Sequence, residues 1–105
     1  MIVSQHNAWI HALATIVVVA VSFYFRLTKA EWCWIIFAII SVWTAEAFNT
    51  AFEFLTDVAS PEFHPLAEKA KDVAAGAVLI TAIGSALIGL VVFGPYFMSA
   101  LRSWK

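Results

Sequence analysis

The sequence predicts an all-α integral membrane protein with three transmembrane helices per chain, on three observations. Of its 105 residues 63% are hydrophobic and only 12% charged, against about 25% charged in soluble domains. The mean hydropathy is +0.89. The apolar residues run in continuous blocks rather than alternating, which suits helices and not a β-barrel. Three such blocks reach the ~20 residues that a helix needs to cross a bilayer. The length allows one domain, 1–105.

The first block, 8–25, is interrupted only by His11 and stopped by Arg26 and Lys29. Met1 to Ala8 carries no Lys or Arg and no cleavage site follows Val21, so this block reads as a retained span and not as a signal peptide. Trp32 and Trp34 mark an interface where the second block, 32–55, begins. A polar stretch from Ser60 to Asp72 follows, with Pro61 in a turn and Pro65 in the first turn of a new helix. The third block, 73–93, has no charge, and Gly94-Pro95 is expected to end or kink it. Its small residues, among them Gly76, Ser85 and Gly89, suit close helix packing. Three short spans bury little among themselves, so an oligomer is expected.

One stretch breaks the apolar pattern. Trp32 to Ala45 contains no charge, and then Glu46, Asn49, Thr50, Glu53 and Asp57 follow. At ~100° per residue these five fall within an arc of about 100°, with Phe48, Phe52 and Leu55 opposite. An ionisable residue inside a membrane is expensive and marks a functional site by default. Asp57 alone reads equally well as a helix end leaving the membrane. Glu46 lies deeper, flanked by Val42, Trp43, Ala45 and Ala47, and does not. Lys71-Asp72 alone is an ordinary interfacial pair, and His64 alone a loop residue. The acidic residues gather between Glu53 and Asp72, and the combination points to chemistry.

Several chemistries are excluded. A net charge of −1 argues against a nucleic-acid partner. The single Cys33 forms neither an internal disulfide nor a thiolate metal site. No glycine-rich phosphate loop is present, and His6, His11 and His64 lack zinc spacing. Carboxylates with open positions hold Mg²⁺ alongside substrate phosphates. A lysine offsets phosphate charge, and a buried carboxylate takes a proton from a hydroxyl. These are the parts of phosphoryl transfer.

The segments Glu46-Ala-Phe-Asn49-Thr50-Ala51-Phe-Glu53, His64-Pro-Leu-Ala and Ala70-Lys71-Asp72-Val-Ala-Ala-Gly76-Ala resemble the prokaryotic diacylglycerol kinase family, which includes undecaprenol kinases. The resemblance runs from about Ser4 to Pro95. It implies a three-helix subunit in a homotrimeric bundle, with sites composed at subunit interfaces. It implies transfer of the ATP γ-phosphoryl group to the primary hydroxyl of a membrane lipid, diacylglycerol or undecaprenol, with Mg²⁺. By position, Glu46 would be the general base and Glu53 a metal ligand near ATP. Asn49 and Asp72 would position the reacting groups, and Lys71 would contact phosphates. Glu62 and His64 would lie near the nucleotide, with Asp57 in the polar shell. The stretch Ser4-Gln5-His6-Asn7-Ala8-Trp9-Ile10-His11 is similar to a family pattern N-E-x-N-x-x-I-H, and Gln5 stands where a metal-ligating Glu is expected. A basic surface helix usual before the first span is also missing.

The family implies a multi-pass protein of the inner (plasma) membrane with its site facing the cytoplasm. Counting positive charge votes the other way, since Arg26, Lys29, Arg102 and Lys105 sit at the opposite pole. Two alternatives remain open: a small oligomer conducting protons or cations past Glu46, and a catalytically weakened structural relative.

Overall fold

The computed structural model describes residues 2–104, with side chains from Ala8 to Trp104. Three helices follow one another: α1 (Ile2–Phe25), α2 (Lys29–Ala59) and α3 (Pro65–Trp104). Each is long and apolar enough to cross a membrane. All described residues between the helices are turns or irregular backbone.

The first turn is closed by hydrogen bonds at both of its helix ends. Arg26 is left-handed at φ 55°. Its N–H donates to the Phe23 carbonyl at 3.2 Å, and the Leu27 N–H to the Ser22 carbonyl at 3.3 Å. That pair of bonds is the Schellman closure, which satisfies carbonyls left over at a helix end. Thr28 then caps α2, its hydroxyl accepting from the Glu31 N–H at 3.2 Å while the Glu31 carboxylate accepts from the Thr28 N–H at 2.9 Å. The reciprocal box satisfies two orphan donors at once. Glu31 also accepts from the Tyr96 hydroxyl, which ties this turn to α3.

The second turn is built differently. The Ser60 N–H closes α2 on the Thr56 carbonyl at 2.8 Å. His64 precedes α3 and accepts the Leu66 N–H on its Nδ1 at 3.1 Å, a side-chain cap. Pro65 follows at the first helical position, where its missing N–H costs nothing.

The helices meet most extensively along α2 and α3, and α1 touches α2 more sparsely. Leu27, Ile35, Val92 and Phe93 form a buried cluster beside the first turn, flanked by Phe25 and Tyr96. Phe25 stacks on Tyr96 at 5.3 Å between centroids and meets Phe97 edge-on at 4.9 Å. Midway along the pair, the Ser85 hydroxyl donates to the Ala38 carbonyl at 3.1 Å.

The polarity of this fold is inverted relative to a soluble protein. Ser22, Glu46 and Asn49 are buried, while Trp9, Phe23, Leu79 and Val91 are largely exposed. Apolar exposure on this scale needs lipid or another subunit over it. The longest extent of the molecule is 60 Å, twice the ~30 Å hydrocarbon core of a bilayer.

One expectation is corrected. α3 does not stop at Gly94-Pro95 but continues to Trp104, with Pro95 inside it. Proline fixes φ near −65°, which is helical, and forfeits a single amide bond toward the preceding turn. Membrane helices tolerate that loss, and the apolar run Tyr96 to Leu101 gives the chain no reason to leave the helix.

Candidate functional site

α2 carries the site because its polar residues recur at helical spacing. Glu46 and Asn49 are 5% and 7% exposed, and Glu53, one turn further on, is half-buried. The Asn49 Nδ2 donates to Glu53 Oε1 at 3.3 Å, so neighbouring turns of the stripe are linked. Thr56 turns its hydroxyl back onto the Phe52 and Glu53 carbonyls. Phe48 and Leu55, on the opposite side, are each 63% exposed.

Glu46 stands out electrostatically. Both of its carboxylate oxygens are buried without a hydrogen-bond partner. Placing a carboxyl group in such surroundings without donors is costly, so its presence there calls for a functional reason. Across from it on α1, His11 Nε2 lies 3.4 Å from Glu46 Oε2. His11 is held in turn by its surroundings. Its carbonyl accepts from the Thr15 hydroxyl at 2.7 Å, and that hydroxyl accepts from the Trp43 indole N–H at 2.9 Å. The His11 and Trp43 rings lie 6.0 Å apart.

Two cavities lie along α2, and the second is bordered by Asn49 of the stripe. One of about 340 Å³ lies among the three helices, lined by His11, Thr15, Ile35, Trp43, Ser85 and Phe93. The other, about 610 Å³, lies between α2 and α3 and is lined by Asn49, Phe52, Leu66 and Lys69. At the polar end, Lys71 on α3 pairs with Asp57 on α2, Nζ to Oδ1 at 2.7 Å.

The anticipated residues therefore separate into groups. Glu46, Asn49 and Glu53 share one face of α2, and Asp57 and Lys71 are brought together across the α2–α3 turn. Asp72 is exposed on the outer surface of α3. Glu62 and His64 are exposed in the connecting turn, and the His64 ring is engaged as a helix cap. Gln5 lies outside the residues whose side chains are described. Sequence reasoning did not single out His11 as a site residue, although it is the one imidazole in its apolar block. Nor did it weigh Lys69, which directly follows Glu68 in the first turns of α3 and reads locally as surface charge.

No group of three or more His, Cys, Asp and Glu side chains that could hold a metal ion occurs among the described residues. The described residues of one chain therefore form no dedicated cage. The oxygens of Glu53 and Asn49 fit a small hard cation that takes its remaining ligands from water and nucleotide phosphates.

The model of the prokaryotic diacylglycerol kinase family matches residues 1–93. The chain belongs to that family. Membership makes it a lipid kinase and an enzyme of the membrane. It is 39% identical over 92 residues to a protein of Bacillus subtilis (strain 168) named undecaprenol kinase, covering 88% of this chain and 75% of that one. It is 30% identical over 99 residues to a protein of Synechocystis sp. named diacylglycerol kinase, covering 93% of this chain and 57% of the relative. No solved structure gives a significant match.

Proposed function

We propose that the chain transfers the γ-phosphoryl group of ATP to the primary hydroxyl of a membrane lipid, with Glu46 as the general base. The observation that carries this reading is the Glu46 carboxylate, buried in an apolar helix with neither oxygen hydrogen-bonded. A base in waiting needs a free lone pair and a dry surround, and Glu46 has both.

In the proposed step the lipid hydroxyl gives its proton to Glu46 as its oxygen attacks the γ-phosphorus. The bond from that phosphorus to the bridging oxygen breaks, and ADP departs with the electron pair. Such reactions depend on positioning and charge compensation more than on covalent chemistry. Asn49, beside the base, positions the reacting groups together with Asp72. Lys71 contributes positive charge toward the phosphates, and Glu53 serves the metal and nucleotide. Mg²⁺, when bound, neutralises charge on the β- and γ-phosphoryl oxygens. Glu53 would hold it, with Gln5 contributing at most a neutral amide oxygen. Glu62 and His64 lie in the turn through which the nucleotide approaches, and Asp57 completes the polar shell.

The acceptor proposed is undecaprenol, supported by the higher identity to the relative bearing that name and by the wider share of that relative matched. The whole chain, 1–105, acts as one domain with spans near 8–25, 32–55 and 73–93. It works as a homotrimer in the inner membrane, with the Glu53–Asp72 pole toward the cytoplasm, where ATP is found. The largely exposed apolar surface of the single chain supports completion of the site by a second subunit.

The test is a side-by-side assay with radiolabelled ATP and either undecaprenol or diacylglycerol in detergent. Labelled undecaprenyl phosphate at a higher kcat/KM than labelled phosphatidate is the expected result. Folded, monodisperse protein that labels neither lipid would overturn the reading.

A further inference from the structure

A buried carboxylate that must accept a proton at a defined position has to be held, and α2 does not hold it. Asn49 spends its Nδ2 on Glu53, and neither Glu46 oxygen receives a hydrogen bond from α2. Among the described side chains, the polar group that reaches toward Glu46 comes from α1. His11 Nε2 is 3.4 Å from Oε2, and both side chains are largely buried.

That approach is not an accident of a loose side chain. α1 and α2 meet sparsely, yet at this level they are joined by the Trp43 indole donating to Thr15, one turn from His11. Thr15 in turn donates to the His11 carbonyl. Trp43, three residues before Glu46 on α2, therefore fixes the depth at which α1 presents His11. The same indole and imidazole form the wall of the 340 Å³ cavity.

We infer that His11 is a positioning residue of the phosphoryl transfer: its Nε2 engages Glu46 Oε2 and leaves Oε1 as the oxygen that receives the lipid proton. The inference rests on Glu46 being the base. The 3.4 Å separation is long for a hydrogen bond, as such contacts commonly are before substrate binds, and it tightens when the acceptor is seated. His11 itself touches neither lipid nor nucleotide. It acts through Glu46 by confining the carboxylate to one rotamer, with one lone pair occupied and the other turned toward the acceptor.

The test compares His11→Leu and His11→Gln, alone and combined with Glu46→Gln, in the full-length protein in detergent. His11→Leu should lower kcat about tenfold or more, a part of the ~10²–10⁴-fold that a positioned base supplies, with KM for ATP and for lipid within twofold of the parent. His11→Gln, which keeps an N–H donor, should recover most of that loss. In the Glu46→Gln background the His11→Leu change should cost nothing further, because the group it positions is gone. A purely structural role would instead give an additive loss that Gln does not rescue. An additive cycle, a loss confined to KM, or an unchanged kcat overturns the inference.

An infrared readout separates this idea from the kinase reading itself. The Glu46 carboxylate stretch, identified by its disappearance in Glu46→Gln, should shift in His11→Leu whether or not the protein turns over. A band that stays in place overturns the inference even in an active enzyme. An inactive parent whose band does shift overturns the proposed reaction and leaves the His11–Glu46 engagement standing.

Discussion

At the scale of single residues, Glu46 and Phe48 illustrate how two faces of one helix divide labour. The carboxylate is 5% exposed and the phenyl ring 63%, the reverse of their preferences in water. A membrane makes this affordable for the ring and demands a reason for the carboxylate. Replacing Glu46 by Gln keeps the volume and removes the base. The expected outcome is a fall in kcat of at least ~10²-fold with unchanged thermal stability, read by labelled-lipid formation and by unfolding in detergent. The stripe Glu46, Asn49, Glu53 was legible in the sequence because helical periodicity alone puts those residues on one face. Its partner was not. His11 reaches Glu46 from a different helix, and no local spacing encodes the depth at which α1 meets α2. Lys71 and Asp57 lie between these cases: both were singled out, but their pairing depends on how the Ser60–His64 turn folds back.

At the scale of elements, the two turns are where the chain commits itself to a hairpin of helices. The charged residues Arg26 and Lys29 correctly marked the first break, but the physical closure is a left-handed Arg26 followed by the Thr28–Glu31 box. A non-glycine residue in that conformation is strained by about 1 kcal/mol. Arg26→Gly is therefore expected to stabilise the protein by up to about 1 kcal/mol, partly offset by glycine's greater freedom when unfolded. Thr28→Ala works in the opposite direction, costing about 1 kcal/mol by stripping the cap. Both are checked by thermal unfolding in detergent. The end of α3 was the least legible boundary. Gly94-Pro95 reads as a stop in water, whereas in an apolar run the helix is still the best available answer for every remaining backbone group.

At the scale of the whole molecule, an inside-out surface and a sparse α1–α2 seam suit the assembly proposed above. If catalytic parts come from different chains of one assembly, two inactive variants can rescue each other. Co-expressed Glu46→Gln and Lys71→Ala subunits are expected to regain a measurable fraction of activity, while each alone stays inactive. Activity of the mixed assembly no greater than that of either parent would place the whole site within one subunit.

The short bond between Lys71 and Asp57 has a consequence for how nucleotide arrives. The lysine proposed to meet phosphate already has an anion, so ATP enters by exchange, displacing a carboxylate rather than filling a vacancy. The pair is weak because it is exposed, Asp57 by 62% and Lys71 by 36% of their side chains. The exchange is therefore nearly free. Asp57→Asn should tighten ATP binding by no more than about fivefold, measured by calorimetry, with the gain shrinking as salt is raised. On the proposed role of Lys71, the resting enzyme works as an ion exchanger, lending its lysine to an internal acid until a better anion comes.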